Sequence, residues 1–188
     1  MPSARRGKQK GAMPQYEIRI ISHGSEVRKI GARAFMEFIN PFVTERAYLS
    51  VQKKVTLKEQ EKWMEKNSEA LEEGELIRVA LFVDGKYSGA CDVRKAAPPN
   101  MKHNVHFGIA VSRQWRGFGF GEMLLRKGIE VAREKFRARK MWIEHDSGNR
   151  VAARLYRKVG FVNVARLKGY CSHYGKYTDN CLMEYKGK

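Results

Sequence analysis

The chain is short of cysteine, short of acidic side chains relative to basic ones, and without any long apolar run. Its three cysteines, Cys91, Cys171 and Cys181, are odd in number and show no CxxC spacing. That argues against a disulfide framework and against a cysteine zinc site, and the expectation is reduced thiols in a cytoplasmic protein. The longest apolar stretches, such as residues 79–83, fall far short of the roughly 20 residues a spanning helix needs, so no membrane association is expected. The basic N-terminus lacks the apolar region of a secretory signal. Against 20 acidic residues stand 37 Lys and Arg, a net charge of +17. A field of that sign favours anionic partners: nucleic acid, a ribosome, an acidic protein segment or a polyphosphate cofactor. The plainer alternative is a solvated basic surface that maintains solubility.

What is present fits one folded domain. Hydrophobic residues make up 43% and aromatics 11% of 188 residues, enough for a core and too much for a disordered chain. Residues 1–14 carry Arg5, Arg6, Lys8 and Lys10 without periodicity and read as a basic disordered arm. Residues 15–188 read as a single domain. Alternation over 15–22 predicts a strand. Ser25 then precedes Val27, Ile30, Ala34, Phe35 and Phe38 at helical spacing, a segment that Pro41 is expected to end. Thr56 and Glu59 form a capping box for a helix to about residue 72, stopped by Gly74. Strands over 76–83 and 87–93 flank the hairpin signal Asp84-Gly85. A further strand spans 105–111, a helix about 121–136, a strand 141–145, and a helix 149–159 with Val151, Ala152, Leu155 and Tyr156 inward. Strands over 161–165 and 177–185 close the chain. The order predicts one mixed α/β sheet of about seven strands with about four helices.

The densest chemical signal is the run Val111-Ser112-Arg113-Gln114-Trp115-Arg116-Gly117-Phe118-Gly119-Phe120-Gly121 between a strand and a helix. Glycines there let main-chain N–H groups approach an anion, and the following helix adds the positive end of its dipole. The pattern suits a pyrophosphate cradle, with Arg116 available for charge-assisted contacts. A dinucleotide site needs G-x-G-x-x-G near the start of a βαβ unit, whereas these glycines fall at every second position late in the chain. A P-loop needs a Gly-Lys-Ser/Thr ending, which is absent. A purely structural tight turn is the remaining alternative.

Arg116-x-x-Gly119-x-Gly121 followed by Met123-Leu124-Leu125 resembles the coenzyme A pyrophosphate motif of the GNAT (GCN5-related) N-acetyltransferase superfamily. A second segment, Asn149-x-x-Ala152-x-x-Leu155-Tyr156-x-x-x-Gly160-Phe161 after Ile143-Glu144-His145-Asp146, is similar to that family's strand-loop-helix pattern and comes at the family's usual separation. The resemblance implies the GNAT acyl-CoA N-acyltransferase fold, a mostly antiparallel mixed sheet with splayed central strands. It implies acetyl-CoA as co-substrate and no metal. The strand ending at Val111 would part from the strand carrying Glu144, and the pantetheine arm would lie in that gap along Ile109, Ala110 and Val111. Arg116, Gly117, Phe118, Gly119, Phe120 and Gly121 would hold the pyrophosphate, Asn149 the cofactor arm, and Tyr156 would lie near the thioester sulfur.

By the same resemblance, acetyl would pass directly to a primary amine, of a protein or peptide N-terminus or a small molecule, in a ternary complex. Most amines are protonated near neutrality, so a base or water relay is required, and the thiolate leaving group benefits from an acid. Tyr156 is the natural acid. For the base, Glu144 stands twelve residues before Tyr156, the spacing in the N-terminal acetyltransferase branch; a water chain, His106 and His145 remain as alternatives. Asn149 also reads as a simple helix cap, and His103 and His106, without a carboxylate partner in sequence, as non-ligands. The acceptor site is expected between residues 31–56 and 166–180, the latter holding Tyr170, His173, Tyr174 and Tyr177. A homodimer stays open. Two non-enzymatic readings remain: an acyl-CoA sensor without catalysis, and a basic nucleic-acid-binding module.

Overall fold

A computed structural model describes residues 14–187; the expected basic arm lies almost wholly outside the described residues. Seven strands form one sheet in the order β1-β2-β3-β4-β5-β7-β6. They are β1 (Tyr16–Ile21), β2 (Leu76–Val83), β3 (Lys86–Lys95), β4 (Asn104–Val111), β5 (Lys140–Asp146), β6 (Phe161–His173) and β7 (Lys176–Tyr185). Five α-helices accompany them: α1 (Gly24–Ile30), α2 (Ala32–Thr44), α3 (Leu57–Glu72), α4 (Phe120–Glu134) and α5 (Arg150–Val159). Every neighbouring pair is antiparallel except β4–β5, which is parallel and joined through α4. The mixed, mostly antiparallel seven-stranded sheet is as expected.

The helix count exceeds the expected four because one helical segment is two. Gly31, at φ 86°, breaks the chain between α1 and α2. Pro41 does not end α2, which continues to Thr44. Proline forfeits one backbone bond, but continuing the helix buries Phe42, packed 5.1 Å from Phe38, centroid to centroid. Val151, expected inward, is 68% exposed, and α5 instead buries Ala153, Tyr156 and Val159. β6 runs past its expected end to His173, because β7 pairs with it along the whole hairpin, with irregularities between Asn163 and Ala165 and between Leu167 and Cys171.

β2 is buried at every position because both faces of the sheet are covered there. Ile77, Val79, Leu81 and Val83 point to the core under α4 and α5; Leu76, Ala80 and Phe82 point to a second core under α1–α3. On the second face Arg78, 2% exposed, is paired with Asp92 at 2.6 Å and lies over Trp63 and Phe35. α4 seats closely on the sheet because Gly128 carries no side chain: a Cβ there would stand 2.9 Å from Cys91 Sγ and 3.4 Å from Phe107. Gly128→Val therefore overpacks a closed core. We expect a loss of about 1–3 kcal/mol, seen as a lower urea midpoint at unchanged slope.

Candidate active site

The parallel pairing of β4 with β5 stops at Phe107–Ile143. Beyond it, Gly108 to Val111 pair only with β3, and Glu144 to Asp146 only with β7. The two strands therefore part in the middle of the sheet, leaving a gap that joins its two faces. Because side chains alternate along a strand, β5 presents different chemistry on each side. Ile143 and His145 face the α4–α5 core, where Tyr156 is buried, and the His145 and Tyr156 rings stand 6.1 Å apart. Glu144 points to the other face, with His106 and Trp142.

At the end of β4 the chain makes one 3-10 turn, Arg113–Trp115, and then the glycine turn. Gly117 and Gly119 adopt φ of 89° and 88°, and a Cβ on either would meet nothing within 4 Å. These glycines serve backbone conformation rather than space. Phe120 anchors the turn: it is fully buried against Tyr16 and Phe118, at 5.1 and 6.1 Å between ring centroids. Gly121 abuts Leu155 of α5, where a Cβ would come within 3.2 Å of its Cδ2. The N–H groups of Gly117, Phe118, Gly119, Phe120 and Gly121 donate to no group among the described residues, and Gly119 supplies no side-chain cap to α4. Successive free N–H groups at the start of a helix suit a diphosphate, so the turn fits the pyrophosphate of coenzyme A through its main chain; the Phe120 ring belongs to the core.

Arg116 is placed differently from a simple phosphate ligand. Its Nε donates to the Val111 carbonyl at 2.9 Å, and its two terminal nitrogens donate to both oxygens of Glu45 at the end of α2. The guanidinium also lies 5.1 Å over the Phe42 ring. The side chain thus ties the turn to α2, and the Arg116 N–H is taken by the Arg113 carbonyl at 3.3 Å, so the free donors begin at Gly117. Nothing in the spacing of Glu45 and Arg116, 71 residues apart, signals this pair.

Asn149 caps α5, its Oδ1 accepting from Ala152 N–H at 3.1 Å. Asp146, not singled out from the sequence, organises the loop before it: Oδ1 accepts from Gly148 N–H at 2.8 Å and Oδ2 from the Thr178 hydroxyl. Burial raises the Tyr156 pKa well above the ordinary phenol value, with Cys91 adding to the effect. The hydroxyl is held by no hydrogen bond among the described residues, so it stays protonated and free to donate. His145 has Nδ1 2.8 Å from the Asp146 carbonyl oxygen, and its Nε2 is buried without a partner. On the opposite face Glu144 Oε2 accepts from Asn180 Nδ2 at 2.7 Å, and Oε1 lies 3.6 Å from His106 Nε2. Among the described residues no group of three His, Cys, Asp or Glu side chains is arranged for a metal, and no helix is long and apolar enough to cross a membrane.

The two segments expected to form the acceptor site do meet. Tyr174 at the β6–β7 turn donates its hydroxyl to the Val43 carbonyl at 3.1 Å and its N–H to Gln52 Oε1 at 3.0 Å. Gln52 Nε2 donates back to the Ser172 carbonyl, and His173 stacks on Tyr48 at 4.3 Å. Tyr170 and Tyr177 point outward, at 68% and 81% exposure. The hairpin and the stretch after α2 therefore form one fastened wall, with Tyr48 packed on Gly148.

Known proteins resemble this chain in sequence and in fold. The model of the acetyltransferase (GNAT) family matches residues 43–161. An L-amino acid N-acetyltransferase of Escherichia coli is 28% identical over 101 residues, covering 54% of this chain and 62% of that protein. An N-alpha-acetyltransferase of Sulfurisphaera tokodaii is 31% identical over 110 residues, 54% of this chain and 66% of its own length. Each match thus spans less than two thirds of the curated relative. Among solved structures, a ribosomal-protein-alanine N-acetyltransferase of Brucella melitensis superposes with a TM-score of 0.75 at 21% identity, over 89% of this chain and 98% of that one. At that identity the likeness speaks for the fold.

Proposed function

Since the chain belongs to the GNAT acetyltransferase family, we propose that it transfers the acetyl group of acetyl-CoA to a primary amine by direct attack in a ternary complex. The acceptor is the amine of a peptide or protein N-terminus or of a small molecule. The observation that carries this reading is the run of free N–H groups from Gly117 to Gly121 beside a gap that opens on Tyr156 from one face and on Glu144 from the other.

Bound acetyl-CoA supplies the activated thioester. The main chain of residues 117–121 holds its diphosphate, and the unpaired edge of Ile109, Ala110 and Val111 lines its arm. Asn149, whose Nδ2 is left free by the cap, reaches toward the same arm. Tyr156 donates its phenolic proton to the departing sulfur, a task suited to a hydroxyl that burial keeps protonated. Glu144, exposed on the acceptor face and steadied by Asn180, takes the proton from the attacking amine. Holding both reactants in line contributes on the order of 7 kcal/mol in favourable cases. The fastened wall of hairpin and α2 end borders the acceptor. The strongly basic surface favours an acceptor or partner of acidic character, such as an acidic peptide or ribosomal component.

The test is release of free thiol from acetyl-CoA in the presence of peptides with free N-termini, lysine peptides with blocked N-termini, polyamines and free amino acids. Turnover is expected with α-amines of peptides or amino acids. Acetyl-CoA uptake by calorimetry with no turnover of any amine would leave a sensor, and no uptake at all would remove the proposal.

A further inference from the structure

The stretch that follows α2 crosses the mouth of the gap between β4 and β5. Glu45 is tied on the β4 side, through Arg116 to the Val111 carbonyl. Tyr48 is tied on the β5 side: its ring stacks on His173, and its hydroxyl end rests on Gly148, just past the end of β5. Arg46 and Ala47 lie between these anchors. Their N–H groups donate back to the Val43 and Phe42 carbonyls at 3.1 and 2.9 Å, the paired bonds of a Schellman ending to α2. The residue at Arg46 in that motif takes a left-handed backbone and is usually glycine. Here φ is 50° and the residue is an exposed arginine. The Arg46 guanidinium lies 5.2 Å over the Tyr174 ring, within cation–π range, and the Tyr174 hydroxyl is itself bonded to Val43. No carboxylate pairs with this guanidinium among the described residues. Glu45 is taken by Arg116 and Arg113. Asp146 is taken by Gly148 and Thr178, and Asp179 by Arg166 and Gly169. A guanidinium held over a ring keeps its N–H edge, and that fork matches a carboxylate.

We propose that Arg46 binds a carboxylate of the acceptor, so that the site selects molecules carrying an amine and a carboxylate together. This rests on the reading of the gap as an acetyl-transfer site. The amine is received on the Glu144 side and the carboxylate at the Arg46 fork. Two sources share this chemistry: the α-carboxylate of a free amino acid, and an acidic side chain next to a peptide N-terminus. They differ in how far the carboxylate stands from the amine. Arg46 decides which amines are taken and has no part in proton transfer.

Wild type, R46Q and R46G are assayed by thiol release from acetyl-CoA with two pairs of acceptors. The first pair is L-alanine and L-alaninamide. The second is a C-terminally amidated peptide beginning with alanine and aspartate, and the same peptide with asparagine in place of aspartate. In both variants kcat/KM for the carboxylate member of a pair is expected to fall about tenfold more than for its amide. Comparing these ratios between proteins cancels the intrinsic difference between the amines. The KM for acetyl-CoA should hold, and added salt should weaken the wild-type preference. An effect in the first pair identifies the α-carboxylate as the group bound, and an effect in the second the side chain. Thermal unfolding tests the plainer role, a fastening of Tyr174. Glycine suits the left-handed position, so R46G is expected to keep or raise the Tm. Unchanged ratios in both pairs overturn the carboxylate site while acetyl transfer stands. Equal losses for both members of each pair do the same, and a lower Tm in R46G beside them makes Arg46 a fastening only. No turnover of any amine by the wild type removes acetyl transfer and the carboxylate site with it.

Discussion

Replacing Tyr156 by phenylalanine is expected to lower kcat by about 10²-fold or more, with acetyl-CoA affinity by calorimetry unchanged within about twofold. The two readouts separate because the ring packs in the core and the hydroxyl makes no hydrogen bond among the described residues. Phenylalanine keeps the packing and removes only the proton donor. For the same reason stability should hold: deleting a hydroxyl that has no partner among the described residues leaves none of them newly unsatisfied. The pH profile supplies a further check. Burial holds the folded-state phenol pKa above its ordinary value, so the protonated, donating form persists through the range in which a free phenol ionises. Activity in the wild type should therefore show no alkaline loss from this group below about pH 10. Wild-type turnover by Tyr156→Phe would remove the acid role, and a matching loss of acetyl-CoA binding would make the residue structural.

The second large effect is expected at Gly119. Its φ of 88° is open to glycine and strained for a β-branched residue. Gly119→Val either holds that strain, about 1–3 kcal/mol, or relaxes the turn and turns its N–H groups away. A Cβ there meets no neighbour within 4 Å, so steric crowding is not the cause of any loss. Relaxation should raise the acetyl-CoA Kd by about 10²-fold, close to 2.7 kcal/mol. Gly119→Ala should fall between the wild type and valine, since alanine tolerates the left-handed region better than a branched side chain. Equal affinity in all three proteins would show that the turn does not hold the diphosphate. Nucleic-acid binding, should the basic surface support it, would not follow this order.

Legibility varied with the distance over which each signal acts. The Thr56–Glu59 capping box was readable and is present, with Glu59 N–H donating to Thr56 Oγ1 and Thr56 N–H to the Glu59 carboxylate. Gly160, the expected stop of the last helix, adopts φ 118° there. Val151 was misplaced because helical spacing defines a stripe without saying how wide a partner covers it, and α5 meets its neighbours mainly through Ala153, Tyr156 and Val159. The helix continues past Pro41, against expectation, because the burial that outweighs the missing hydrogen bond comes from outside the helix, where Phe42 lies under the Arg116 guanidinium.

From the order of its residues alone, this chain specifies the glycine turn, the capped helices and the positions of Tyr156 and Glu144, because φ preference, capping and alternation are settled among residues a few places apart. Other features needed the folded chain: the parting of β4 from β5, the commitment of Arg116 to Glu45, the Asn180 contact with Glu144, and the fastening of Gln52 to the hairpin 120 residues away. Those depend on which strands and loops become neighbours. Such neighbours are chosen by the burial of two cores on opposite faces of the sheet, a quantity that no local stretch of sequence contains.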